Sequence, residues 1–162
     1  MENGKTVLSI IVDNQPGVLS RIAGLFSGRG YNIESLCVAE TDDPLVSRIT
    51  LVTKGNKLII EQIKKQLHKL INVITVHDLT ETKYVERELA LIKINAKPKD
   101  RAEILRMVDV FRSKVIDVGH EHFTIEITGD EEKLKAFINI LKPMGIKEIA
   151  RTGTIALARE LQ

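Results

Sequence analysis

Apolar positions come in short runs, separated by polar turns or spread at helical spacing. Residues 6–12 (Thr6 to Val12) form an apolar strand, and Asp13-Asn14-Gln15-Pro16-Gly17 is a polar turn. An amphipathic helix over 16–28 follows, then a return strand over 31–39. The polar turn Glu40-Thr41-Asp42-Asp43-Pro44 joins that strand to 45–53 as a hairpin. Gly55-Asn56 breaks the strand and caps a second helix. There Ile59, Ile63, Leu67, Leu70 and Ile71 recur at helical spacing, with Lys64, Lys65, His68 and Lys69 on other faces. A short strand at 73–79 completes the order β-α-β-β-α-β, the split βαβ or ferredoxin-like unit.

The polar stretch Thr80-Glu81-Thr82-Lys83-Tyr84 reads as a linker, after which the order repeats. Strand 88–96 is followed by Pro98, as the first strand is followed by Pro16. Ile104, Leu105, Val108 and Phe111 stripe a helix, and 115–118 with 123–128 form a hairpin around Gly119-His120. Thr128-Gly129-Asp130-Glu131 has capping-box spacing. It opens a helix bearing Leu134, Phe137, Ile138 and Leu141, and a strand over 146–158, bent near Gly153, closes the chain. The expectation is an α+β protein of two tandem ferredoxin-like βαββαβ domains, at 1–80 and 81–162. Units of this size are marginally stable alone and leave sheet edges open, which predicts a homodimer paired edge to edge.

Composition narrows the function classes. The chain has 162 residues, 43% apolar, 4% aromatic and no Trp, which fits a core of Ile, Leu and Val. Acids and bases are interspersed around a net charge of +2, so neither a nucleic-acid tract nor an acidic tail is present. The single Cys37 forms no internal disulfide and suits a reducing compartment. With no leader pattern and no membrane-length apolar run, the expectation is a cytoplasmic protein.

Catalytic constellations are missing. Cys37 lies mid-strand, where a lone cysteine is packing. His120 and His122 share a hairpin, but two ligands do not close a zinc site, so no metal is expected. Gly24, Gly28 and Gly30 lie within and after a helix rather than before one, so they act as a helix stop. Base stacking on the sheet needs surface aromatics, and Phe123 alone does not supply them.

The first turn is the remaining candidate. Pro16 suits the first helical position, and Gly17 lets a small ligand approach the backbone. A helix N-terminus offers N–H groups and partial positive charge to a carboxylate. The same Pro-Gly pair serves equally as a plain strand-to-helix turn. Asn14 and Asn32 carry amides that donate and accept, as an α-amino acid requires, while Val18, Leu19 and Ile33 are pocket lining or ordinary core. In the second copy the turn reads Ala96-Lys97-Pro98-Lys99-Asp100 and lacks the glycine, so only the first copy is expected to bind.

Asp13-Asn14-Gln15-Pro16-Gly17-Val18-Leu19 with Gly30-Tyr31-Asn32-Ile33-Glu34-Ser35-Leu36 resembles the ACT domain, a ligand-binding regulatory module. The resemblance narrows with Thr41-Asp42-Asp43-Pro44, with Glu61-Gln62-Ile63-Lys64-Lys65-Gln66-Leu67-His68-Lys69-Leu70 and with Val85-Glu86-Arg87-Glu88-Leu89-Ala90-Leu91-Ile92-Lys93. Together with Ile116-Asp117-Val118 and Arg151-Thr152-Gly153, these segments are similar to the acetolactate synthase small subunit over essentially the whole chain. That resemblance implies a non-catalytic partner of a large catalytic subunit, which itself uses thiamine diphosphate, magnesium and FAD. It also implies activation of that subunit and feedback inhibition by valine or another branched-chain amino acid. The effector positions carried over are Asn14, Gln15, Gly17, Val18, Asn32 and Ile33, at an ACT dimer interface. An ACT-type amino-acid sensor controlling transcription or another enzyme is the alternative.

Overall fold

A computed structural model describes residues 4–161. Strand β1 (Gly4–Asp13), helix α1 (Val18–Gly28), strands β2 (Ile33–Glu40) and β3 (Val46–Gly55), helix α2 (Lys57–His68) and strand β4 (Val73–Asp78) come first. Strand β5 (Tyr84–Asn95), helix α3 (Arg101–Val110), strands β6 (Lys114–Val118) and β7 (His122–Gly129), helix α4 (Glu131–Leu141) and strands β8 (Ile146–Arg151) and β9 (Ile155–Ala158) follow. Two antiparallel sheets result, ordered β2-β3-β1-β4 and β6-β7-β5-β8, each carrying the expected βαββαβ pattern.

In the first unit the strand period of two sorts the side chains of β1. Leu8, Ile10 and Val12 join Ile49 and Leu51 of β3 beneath the helices, and Val7 points into a separate cluster. Val18, Ile22 and Phe26, four residues apart, form the buried stripe of α1. Asn56 caps α2 as its sequence position implies, its Oδ1 accepting from the Ile59 N–H at 3.0 Å. The buried residues of α2 are Ile60, Ile63 and Leu67. Ile71 was expected on the same stripe but is 94% exposed, because the helix stops at His68 and the period stops with it.

The second unit is built the same way, with Ile92 and Ile94 of β5, Ile125 and Ile127 of β7, Ile104 of α3 and Phe137 of α4 in one core. Leu105, expected in the α3 stripe, is exposed, while Ile104 and Val108 are buried. The expected capping box at Thr128 is displaced by two residues. Gly129 still pairs with Glu88 in the sheet, so the helix begins later, and Asp130 Oδ1 accepts from the Lys133 N–H at 2.9 Å. Arg151 of β8 grips the buried Glu88 of β5 through two hydrogen bonds of 2.5 and 3.0 Å. These bonds raise the Arg151 pKa further above its already high value.

Three expectations about the ends of elements need correction. Helix α1 begins at Val18, not at Pro16, because Gly17 takes a left-handed conformation (φ 85°) that ends the turn first. The stretch 80–84 is not a featureless linker: Leu79–Glu81 is a 3₁₀ turn with Leu79 buried, and Asp78 Oδ1 accepts from the Thr80 N–H at 3.0 Å. The closing strand is two strands, separated at Gly153 (φ 82°).

The division of the chain differs accordingly from 1–80 and 81–162. One compact unit runs to Val85 and takes in the chain from Thr154 onward; the other is Glu86–Gly153. Ala156 of β9 is buried with Val7, Val52 and Leu79 on the face of the first sheet opposite its helices. The Thr154 N–H donates to Ser35 Oγ at 3.0 Å, and the Arg159 N–H donates to the Lys83 carbonyl at 2.8 Å. Apolar side chains on an open sheet face need a cover, and the last residues provide it.

Candidate functional site: the turn before the first helix

The turn after β1 is held from three directions. The Asn14 N–H donates to the Leu45 carbonyl at 2.8 Å, and its Nδ2 donates to the Pro44 carbonyl at 2.9 Å and to Glu40 Oε1 at 3.2 Å. Asn14 thereby ties the turn to the β2–β3 hairpin. Asn72 ties it on the other side, with Nδ2 donating to Asp13 Oδ2 at 3.3 Å and to Gln15 Oε1 at 3.4 Å. Arg21 in α1 completes this layer, its Nη1 donating to Asn72 Oδ1 at 2.8 Å. A buttressed loop of this sort presents its backbone in one conformation, which lowers the entropy cost of binding.

Gly17 is the N-cap of α1, and no side chain caps the helix there. No acidic residue lies in the first turn, so the partial positive charge of the helix start is unopposed within the element. A Cβ built on Gly17 would meet nothing within 4 Å, which leaves open space over the backbone. The positive φ nonetheless disfavours any L-residue at this position.

The six expected site residues divide by burial. Asn14, Gln15, Gly17 and Asn32 are exposed around the helix start and the entrance of β2. Val18 is buried in the core beneath α1, and Ile33 packs half-buried against the same cluster. Asn32 presents its carbonyl to Thr53 Oγ1 at 2.7 Å, which leaves its side-chain amide exposed. Sequence reasoning missed Arg21 and Asn72. Their roles depend on a contact between residues 51 apart in the chain, which no local pattern encodes.

The corresponding end of α3 is filled. Arg101 turns its guanidinium back over the helix start, with Nε donating to the Ala96 carbonyl at 3.1 Å. Its Nη2 donates to the Gly119 carbonyl at 2.9 Å and the His120 carbonyl at 2.6 Å, and the group lies 5.0 Å from the centre of the Phe123 ring. The protein's own cation thus sits at that end, bonded to three carbonyls of the same unit. Nearby, His122 Nε2 lies 3.5 Å from Asp117 Oδ2. Among the described residues no three His, Cys, Asp or Glu side chains come together as a metal site, and no helix is long and apolar enough to cross a membrane.

Comparison with known proteins bears on both halves. A family model described as the small subunit of acetolactate synthase matches residues 87–160, and one described as an AHAS small subunit-like ACT domain matches residues 8–75. The acetolactate synthase small subunit of Aquifex aeolicus is 51% identical over 97% of this chain and 82% of its own. This chain belongs to the acetolactate synthase small-subunit family. Within that family, the isozyme 3 small subunit of Escherichia coli is 46% identical over 96% of both chains. The crystal structure of the acetolactate synthase small subunit from Thermotoga maritima superposes with a TM-score of 0.88 at 44% identity, covering 98% of this chain and 99% of that one. The ACT-domain match at residues 8–75 falls within the unit that holds the open α1 turn.

Proposed function

We propose that this chain is the non-catalytic regulatory subunit of acetolactate synthase. It activates the large catalytic subunit and confers feedback inhibition by a branched-chain amino acid, with valine the leading effector. On this reading thiamine diphosphate, magnesium and FAD belong to the large subunit. The observation that carries the effector site is the uncapped, exposed start of α1 at Gly17, beside the entrance of β2. Its N–H groups, that of Val18 among them, suit the effector's carboxylate, Asn14, Gln15 and Asn32 offer polar groups for the ammonium, and the half-buried Ile33 meets the branched side chain.

The site is completed by a second copy. Strands β2 and β4 form the two edges of the first sheet, and β2 carries the exposed Val38 near its end. Pairing copies along an edge buries that apolar surface and satisfies the free backbone groups. An effector held between two chains favours one dimer geometry over another. The large subunit reads that geometry with a coupling on the order of 1–3 kcal/mol.

The test is reconstitution with the large subunit and an assay of acetolactate formation with and without valine. Wild-type protein gives valine-inhibited activity; Gly17→Asp loses the inhibition and keeps the activation. Because φ is 85° at this position, Gly17→Ala serves as the control for backbone strain alone. Retained inhibition in Gly17→Asp places the effector elsewhere. Calorimetric titration of the purified chain with valine, leucine and isoleucine ranks the effectors directly.

A further inference from the structure

The face of the first sheet opposite its helices is only partly covered. Where β9 crosses it, Val7, Val52, Leu79 and Ala156 close an apolar cluster. The neighbouring rows are polar or half-buried, with Ser9 and Thr50 themselves buried. Ser9 of β1 stands between Thr50 and His77, and Ile11 stands between Arg48 and Thr75. These rows and the tail after β9 enclose a groove of about 380 Å³, lined among others by Ser9, Ile11, Arg48, His77, Leu157 and Glu160. That volume falls in the range of small-molecule sites, roughly 300–1,000 Å³.

The charges in this groove are unusual. Arg48 is half-buried, and its hydrogen bond is to a hydroxyl, with Nη1 donating to the buried Ser9 Oγ at 2.6 Å. Among the described residues no carboxylate pairs with Arg48 and no cation pairs with Glu160, although both line the same groove. A guanidinium and a carboxylate that share a cavity without meeting leave room for a bridging molecule carrying the opposite pair. The neighbouring arrangement supports this assignment. Ser9 holds the guanidinium through its hydroxyl, and Ile11 and Leu157 give the same groove apolar lining. Charge-assisted hydrogen bonds to both ends of a ligand are the strong ones, and the half-burial of Arg48 strengthens its own further.

We infer that this groove binds a free α-amino acid with an apolar side chain, its carboxylate on Arg48 and its ammonium on Glu160. The site is separate from the α1 turn and does not depend on the reading given to that turn. It is built from the end of the chain folding back on the first unit.

Residue-resolved amide NMR of the full chain tests the assignment with L-leucine and its two halves, 4-methylpentanoate and isopentylamine. L-leucine shifts the amide signals of Ser9, Ile11, Arg48 and His77 saturably, and each half-ligand binds at least tenfold more weakly at those signals. Glu160→Gln, at an exposed position, weakens leucine at the groove at least fivefold; Arg48→Gln does the same. Signals of residues 14–19 report the other site separately and keep their leucine response in Glu160→Gln. The inference is overturned if the groove signals do not move, if 4-methylpentanoate matches leucine there, or if Glu160→Gln binds leucine as wild type does.

Discussion

The starts of α1 and α3 occupy the same place in two copies of one fold, yet one is open and the other is filled. At α1 a left-handed glycine leaves the helix uncapped, and the nearest cation, Arg21, is turned to Asn72. At α3 the residue after the N-cap is Arg101, which folds over the helix start and binds three carbonyls of its own unit. The difference between an uncapped helix start and a stapled one thus lies in a few side chains at the end of the equivalent strand. Repeating a fold does not repeat its chemistry.

The largest effects separate the cores. Phe26→Ala and Phe137→Ala each remove a fully buried ring from one unit and are expected to cost about 3–5 kcal/mol. Hydrogen exchange should show protection lost in the mutated unit first. Equal loss in both units from either change would mean that they do not open separately. Next comes the staple: Arg101→Met deprives three carbonyls of their partner and uncovers Phe123, with a destabilisation of about 1–3 kcal/mol read from denaturant melts. Should Arg101→Met also create leucine or valine binding at residues 97–101, the filled end becomes a masked copy of the open one. The caps are smaller and test whether the two copies are built alike. Asn56→Ala and Asp130→Ala should each cost about 1 kcal/mol, and a marked inequality would show that one helix start is supported by other contacts.

The smallest effect is electrostatic. Lys93 donates a hydrogen bond to Glu148 across β5 and β8, and Lys64 does so to Glu61 within α2. Hydrogen bonding and then charge hold both carboxyls below their usual pKa, and the same contacts raise the two lysines. A depressed carboxyl contributes stability above its unfolded pKa and loses it as pH falls through the lower folded value. The contribution is therefore present at neutral pH and is lost as acidification passes below the ordinary glutamate range. The exposed Lys93–Glu148 pair is screened by salt, and the partly buried Lys64–Glu61 pair less so. Raising the ionic strength should flatten the acid limb of the stability curve slightly; an unchanged limb would assign acid lability to other groups.

Much of the fold follows from local patterns. Ile92, Ile94, Ile104 and Phe137 sit in the second core, where periodicity places them, and Asn56 caps the helix its position announces. Patterns fail where two rules compete for one residue. Pro16 favours a helix start, but Gly17 beside it takes positive φ and delays the start to Val18. Thr128 fits a capping box, but sheet pairing through Gly129 keeps it in the strand. At the candidate site, Asn14, Gly17 and Asn32 were legible from turn chemistry and resemblance. Arg21, Asn72 and Arg101 were not, because their meaning lies in contacts made after the chain has folded. Nothing in residues 154–158 marks them as belonging to the first unit, since an apolar strand reads the same wherever it docks.

That docking has a consequence for biosynthesis. The first unit is interrupted by the second, and the side chain that closes its open-face cluster, Ala156, is made only after the whole second unit. A nascent chain can assemble the helix-covered side of the first sheet early, but must wait for the whole second unit before its other side is sealed. During that interval Val7 and Val52 are uncovered, which lengthens the time for which this apolar surface is exposed to misassembly.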